Sequence, residues 1–217
     1  MNSFLLSKSA YKLIVFIPIL LLTMVSFSFS AQAVEQSPYK MLSSVGNKLF
    51  ERIAALPESE RKKSEVMRNI IEEELMPYID YRYSAYKILG KYVKTASKEQ
   101  RNKFVKVMRD YLSITYAQAL TKYKDQQVIF EPEKEVGNKR IVSIQTEIIE
   151  QGAPPIKIAF KLRKNRKTGQ WKAFDMVVEG ISLLSSKQSE ITRQIREQGL
   201  DAVIAQLQQK VTRAASV

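Results

Sequence analysis

NKRIVSIQTEIIEQGAPPIKIAFKLRKNR, residues 138–166, alternates apolar and polar positions twice, with a turn between the two runs. In the first run Val142, Ile144, Thr146 and Ile148 share one side, opposite Ser143, Gln145 and Glu147. In the second, Ile156, Ile158, Phe160 and Leu162 oppose Lys157, Lys161 and Arg163. A period of two is the mark of a strand, because successive side chains point to opposite faces. Gly152-Ala153-Pro154-Pro155 turns the chain back. The stretch therefore predicts two antiparallel strands with one wet face and one covered face.

Working outward, QQVIFEPEKEV (126–136) and GQWKAFDMVVEG (169–180) add two further strand candidates, giving a four-stranded antiparallel sheet over about 127–180. The last strand barely alternates. Phe174, Met176 and Val178 are expected to meet the covering helices, with Trp171, Ala173 and Val177 on the other side, interrupted by Asp175.

Upstream, residues of about 38–124 carry helical spacing. Ser37-Pro38 is an N-cap with proline at the first helical position, followed by Leu42, Val45, Leu49 and Ile53 on one face, up to Pro57. Val66, Met67, Ile70, Ile71 and Leu75 mark a second helix ending at Pro77, and a tyrosine-rich stretch ends at Gly90. Ser97 and Gln100 form a capping box for the longest helix, whose apolar stripe is Phe104, Val107, Met108, Tyr111, Leu112, Thr115 and Ala119. Beyond Gly180 the chain returns to helix over about 185–212, through Ile191 and Ile195, a break at Gly199, then Leu200, Val203, Ile204, Leu207 and Val211. Helices, a meander of strands, then helices again make an α+β fold in one domain, 34–217.

Residues 1–33 read as a secretory leader. Lys8 and Lys12 precede the apolar run LIVFIPILLLTMVSFSF, and Ala31-Gln32-Ala33 is a small-x-small cleavage site. The whole chain carries 35 Lys+Arg against 22 Asp+Glu, a net charge of +13. Such a basic exported chain calls for an anionic partner, a membrane surface or an acidic protein face, and export argues against nucleic acid.

The residue inventory excludes much chemistry. There is no histidine and no cysteine, hence no imidazole base, no thiolate nucleophile and no zinc site of the usual ligand types. Asp80 and Asp175 interrupt apolar surroundings, but Asp80 reads as a helix N-cap and Asp175 as a paired acid on a strand. No enzyme, cofactor or metal site is expected. Tyr78, Tyr81, Tyr83 and Tyr86 suit a border between apolar surface and water. Lys161, Arg163, Lys164, Arg166 and Lys167 surround a hairpin turn and are candidates for contact with an anionic headgroup or partner.

PYIDYRYSAYKILGKYVKTASKEQRNKF (77–104), TYAQAL (115–120), WKAFDMVVEGISLL (171–184) and QGLDAVIAQL (198–207) together resemble the MlaC family, the periplasmic phospholipid-binding proteins of the Mla system. The resemblance runs from about Tyr39 to Lys210; Tyr92-Val93 departs from it. It implies a curved sheet resembling nuclear transport factor 2, covered by helices with a small helical subdomain. It also implies a monomeric periplasmic carrier of phospholipid, held as cargo. The implied partners are an inner-membrane ABC transporter with its substrate-binding hexamer and an outer-membrane lipoprotein–porin complex, together keeping the outer membrane's lipid asymmetry. On that reading the acyl chains are held in an apolar cavity between the sheet and the helices, lined by the covered sheet face, Val142, Ile144, Ile156, Ile158, Phe160, Phe174, Met176 and Val178. Ile181, Leu183, Met108, Leu112 and Tyr83 complete the expected lining. A chaperone or adaptor for protein clients, or a lipid-ester hydrolase, are the competing readings.

Overall fold

The computed structural model describes residues 37–215, so the leader lies outside the described residues. Five strands form one antiparallel meander in the order β1-β2-β3-β4-β5. They are β1 (Gln127–Phe130), β2 (Ile141–Ile149), β3 (Ile156–Lys164), β4 (Trp171–Val178) and the short β5 (Ile181–Ser182). The fifth strand was not expected. Glu179 and Gly180, both at positive φ, turn the chain back so that Val178 pairs with Ile181.

The quoted stretch pairs as read. Val142, Ile144, Thr146 and Ile148 stand opposite Leu162, Phe160, Ile158 and Ile156. β4 departs from expectation. Its register with β3 slips between Lys161 and Leu162, so Lys161 faces Asp175 while Leu162 faces Ala173, with Phe174 as the extra residue. Such a bulge resets the alternation. Trp171 and Ala173 therefore share the inner face with Met176 and Val178, whereas Phe174 turns away to meet Tyr83 edge-on, with ring centroids 5.1 Å apart. The expected Phe174/Met176/Val178 face is corrected accordingly.

Helices precede and follow the sheet. α1 (Pro38–Ala54) begins at Pro38 and buries Leu42, Val45, Leu49 and Ile53, the predicted stripe. Gly46 lets α1 approach β1 closely, since a Cβ there would fall 2.3 Å from the Phe130 ring. After the single turn α2 (Glu58–Arg61), α3 (Ser64–Ile70) runs on into a π-helical turn (Ile71–Leu75) and a 3-10 turn (Met76–Tyr78). α4 (Tyr81–Leu89), a 3-10 turn (Gly90–Val93), α5 (Lys98–Leu120), α6 (Leu183–Gln198) and α7 (Leu200–Ala215) complete the order. Among the described residues, no helix is long and apolar enough to cross a membrane.

The capping box of α5 is formed in full. Gln100 N donates to Ser97 Oγ (3.0 Å) and Ser97 N donates to Gln100 Oε1 (2.9 Å). The expected stripe holds only as far as Met108; beyond it Ser113, Ile114 and Ala117 are buried, while Thr115 and Ala119 are exposed. The reason is that α5 serves two apolar clusters in succession. Phe104, Val107, Met108 and Ile114 pack with α4, α6 and α7. Ala117 joins the second cluster, built from α1, α3, the turns after it and the inner sheet face at Val142, Ile144, Leu162, Trp171 and Ala173.

Candidate functional site

The inner sheet face is covered unevenly. At one end Val142, Ile144, Leu162, Trp171 and Ala173 are buried beneath helices. Toward the other end Ile148, Ile158, Phe160, Met176 and Val178 stay only half-buried, and Ile156 is exposed. Ile181 (62% exposed) and Leu183 (42%) stand at the same end, beyond the β4–β5 turn. Leu112 of α5 is half-buried as well. Isolated exposed apolar side chains are ordinary, but a contiguous apolar stretch across three paired strands is the signature of a binding surface.

Several expected lining residues lie elsewhere. Met108 is 1% exposed inside the helical cluster and has no free surface to offer. Ile144 is wholly buried under the sheet-side helices, and Val142 nearly so. Phe174 and Tyr83 pack on each other away from the inner face. The residues that share free apolar surface are thus Ile156, Ile158, Phe160, Met176, Val178 and the rim pair Ile181 and Leu183.

The two acids at the border between sheet and helices are tied into the scaffold. Asp80 N donates to Ala173 O (2.7 Å), Asp80 Oδ1 accepts from Tyr83 N (3.1 Å) as the N-cap of α4, and Asp80 Oδ2 accepts from Arg163 (2.9 Å). The Arg163 guanidinium also lies 4.1 Å from the centroid of the Tyr83 ring. Asp175, 8% exposed, accepts from Ser182 Oγ (2.8 Å) and from Leu184 N (3.1 Å), and Lys161 Nζ lies 3.2 Å away. One carboxylate thereby fixes where α6 starts. Both acids act as the sequence suggested, as a cap and as a paired acid.

The basic hairpin is correspondingly depleted. Lys161 and Arg163, expected to contact a headgroup or partner, are ion-paired to Asp175 and Asp80. Arg166 and Lys167 remain exposed at the turn, and Lys164 is engaged. Their acidic partners sit far away in sequence, so no local pattern announced them. Two further polar features were not anticipated. Thr146 Oγ1 is buried on the inner face without a hydrogen-bond partner. Tyr116 on α5 has its hydroxyl pKa pushed up to about 12 by burial, helped by the negative charge of Asp175. Among the described residues no cluster of acids could hold a metal ion.

The family model for MlaC protein matches residues 43–209. The chain belongs to the MlaC family. An MlaC relative from Haemophilus influenzae, the intermembrane phospholipid transport system binding protein, is 36% identical over 196 residues, covering 89% of this chain and 92% of that protein. Among solved structures, the fold is similar to the phospholipid-binding protein from Ralstonia solanacearum, determined in complex with a phospholipid. That likeness has a TM-score of 0.73 at 16% identity and covers 83% of this chain and 99% of the other. The MlaC fold is thus seen here as an α+β chain whose five-stranded antiparallel sheet is half covered by helices.

Proposed function

We propose that this chain is a periplasmic phospholipid carrier of a Mla-type transport system, moving lipid between inner-membrane and outer-membrane complexes without any bond-making chemistry. The observation that carries the reading is the half-covered end of the sheet, where Ile156, Ile158, Phe160, Met176 and Val178 present connected apolar surface. The kinship with a phospholipid transport protein of Haemophilus influenzae supports it.

The energetics suit the task. Each methylene taken out of water contributes about 0.8 kcal/mol, so roughly two dozen methylenes on two acyl chains oppose free diffusion by about 20 kcal/mol. A carrier need only offer comparable apolar surface. Delivery then requires partner complexes that favour the loaded or the empty state differently, because uniform binding would move nothing. The two partner complexes of this reading are an outer-membrane lipoprotein–porin complex and an inner-membrane ABC transporter with a substrate-binding hexamer.

The test is native mass spectrometry of the purified protein. The wild type is expected to carry phospholipid, and Ile158→Glu and Val178→Glu to lose it while remaining folded, since both side chains are half-buried rather than core. Full retention in both variants would remove this end of the sheet from the site. Copurified polypeptide in place of lipid would turn the reading toward a chaperone.

A further inference from the structure

α6 presents Ser189, Thr192, Arg193 and Arg196 at the spacing i, i+3, i+4, i+7, which places all four on one helical face. Opposite them stand Lys91 and Tyr92 of the 3-10 turn that follows α4, and together these residues and Glu190 line a groove of about 590 Å³. The two banks are fastened at one end. Gln188 Nε2 donates to Lys87 O (2.8 Å) and lies against Gly90, whose φ of 55° favours glycine. The groove lies in the helical half, and none of its lining residues belongs to the apolar sheet end.

Its lining carries three cations, Lys91, Arg193 and Arg196, against one acid, Glu190. Across the chain many cations are matched, including Lys48 with Glu74, Arg52 with Glu73, Arg109 with Glu72 and Lys187 with Glu190. Glu190, the groove's single acid, is held 2.6 Å from Lys187 Nζ. Among the described residues no ion pair joins an acid to Lys91, Arg193 or Arg196; Lys91 lies over the Tyr92 ring at 5.4 Å. The groove is left with three uncompensated positive charges.

We infer that this groove docks an acidic segment of a protein partner. Arg193 and Arg196 stand about a helical turn apart on one bank and Lys91 on the other, so an extended acidic segment lying between the banks meets all three. They also line the walls of a concavity, where an extended chain can reach them and a flat bilayer surface cannot. Ser189 and Thr192 add hydroxyls for hydrogen bonds along the same face. Opposed charges of this kind set partner choice and association rate more than intrinsic affinity. The inference stands independently of the identity of the cargo.

The test uses the purified protein and a fluorescein-labelled, glutamate-rich peptide, read by fluorescence anisotropy at low salt. Arg193→Glu with Arg196→Glu is expected to weaken binding about tenfold, because two attractive contacts become repulsive. Lys122→Glu with Lys139→Glu changes the net charge equally at exposed positions outside the groove, and is expected to weaken binding only about twofold through the overall field. Equal losses in the two double variants would overturn the proposal. So would unchanged peptide binding in the α6 variant accompanied by loss of binding to phosphatidylglycerol vesicles, which would make the groove a membrane contact. Phospholipid occupancy of the α6 variant is expected to equal that of the wild type.

Discussion

Asp80 and Arg163 are separated by 83 positions in the chain and by 2.9 Å in the fold. The pair joins the N-terminus of α4 to β3, across the strand that Asp80 N also bonds through Ala173 O. Arg163→Ala would leave a partly buried carboxylate with its cap contact alone, at a cost of about 2 kcal/mol. Asp80→Asn keeps an oxygen for Tyr83 N and is expected to cost less than Asp80→Ala. Urea unfolding of the three variants checks the order. Lipid occupancy should be unchanged in all of them, since neither residue belongs to the open sheet end.

Met108 and Val178 separate packing from cargo. Met108→Ala hollows the helical cluster and is expected to cost about 3 kcal/mol of stability without changing lipid occupancy. Val178→Ala, at a half-buried position, should cost less than about 1 kcal/mol yet reduce the phospholipid carried. Thermal melts paired with native mass spectra check both halves.

Thr146 lies on the inner face between Phe130 and Ile158, with its hydroxyl buried and unpartnered. An unpaired buried hydroxyl carries its desolvation cost without return. Thr146→Val is therefore expected to raise stability by about 1 kcal/mol, visible as a higher urea midpoint.

Two pH windows follow from shifted groups. Glu74 is held below its ordinary 4.5 by the hydrogen bond from Lys48, and further by Arg52, against the opposing effect of burial. A lowered carboxylate stabilises the fold above its unfolded value, and that contribution disappears as pH falls through the folded value. Glu74→Gln should flatten the acid limb below pH 4.5. Tyr116 behaves in the opposite sense. Its neutral form is retained in the fold, so its contribution is complete below pH 10.0 and is lost as pH rises toward about 12. Tyr116→Phe should remove that part of the alkaline decline; urea midpoints on either side of each window decide.

Local periodicity was readable where each strand has one wet face, which is why β2 and β3 pair as expected. It failed at β4 because apolar residues occupy both sides there, and the bulge at Phe174 transfers Trp171 and Ala173 to the inner face. The buried Asp175 was the only local sign of the irregularity. The stripe on α5 is legible as apolar, but periodicity does not say which neighbours a position meets; Met108, expected in the lipid lining, packs inside the helical cluster. The ion pairs that occupy Lys161 and Arg163 depend on Asp175 and Asp80, placed beside them only by the fold.

α5 runs for 23 residues without a glycine or proline, with Phe104 to Ile114 anchored among the helices and Ala117 against the sheet side. Melting either half would fray a rod that both halves share. Denaturation should accordingly be a single cooperative event, and the slowest-exchanging amides of α5 should report the same opening energy as those at the centre of β3.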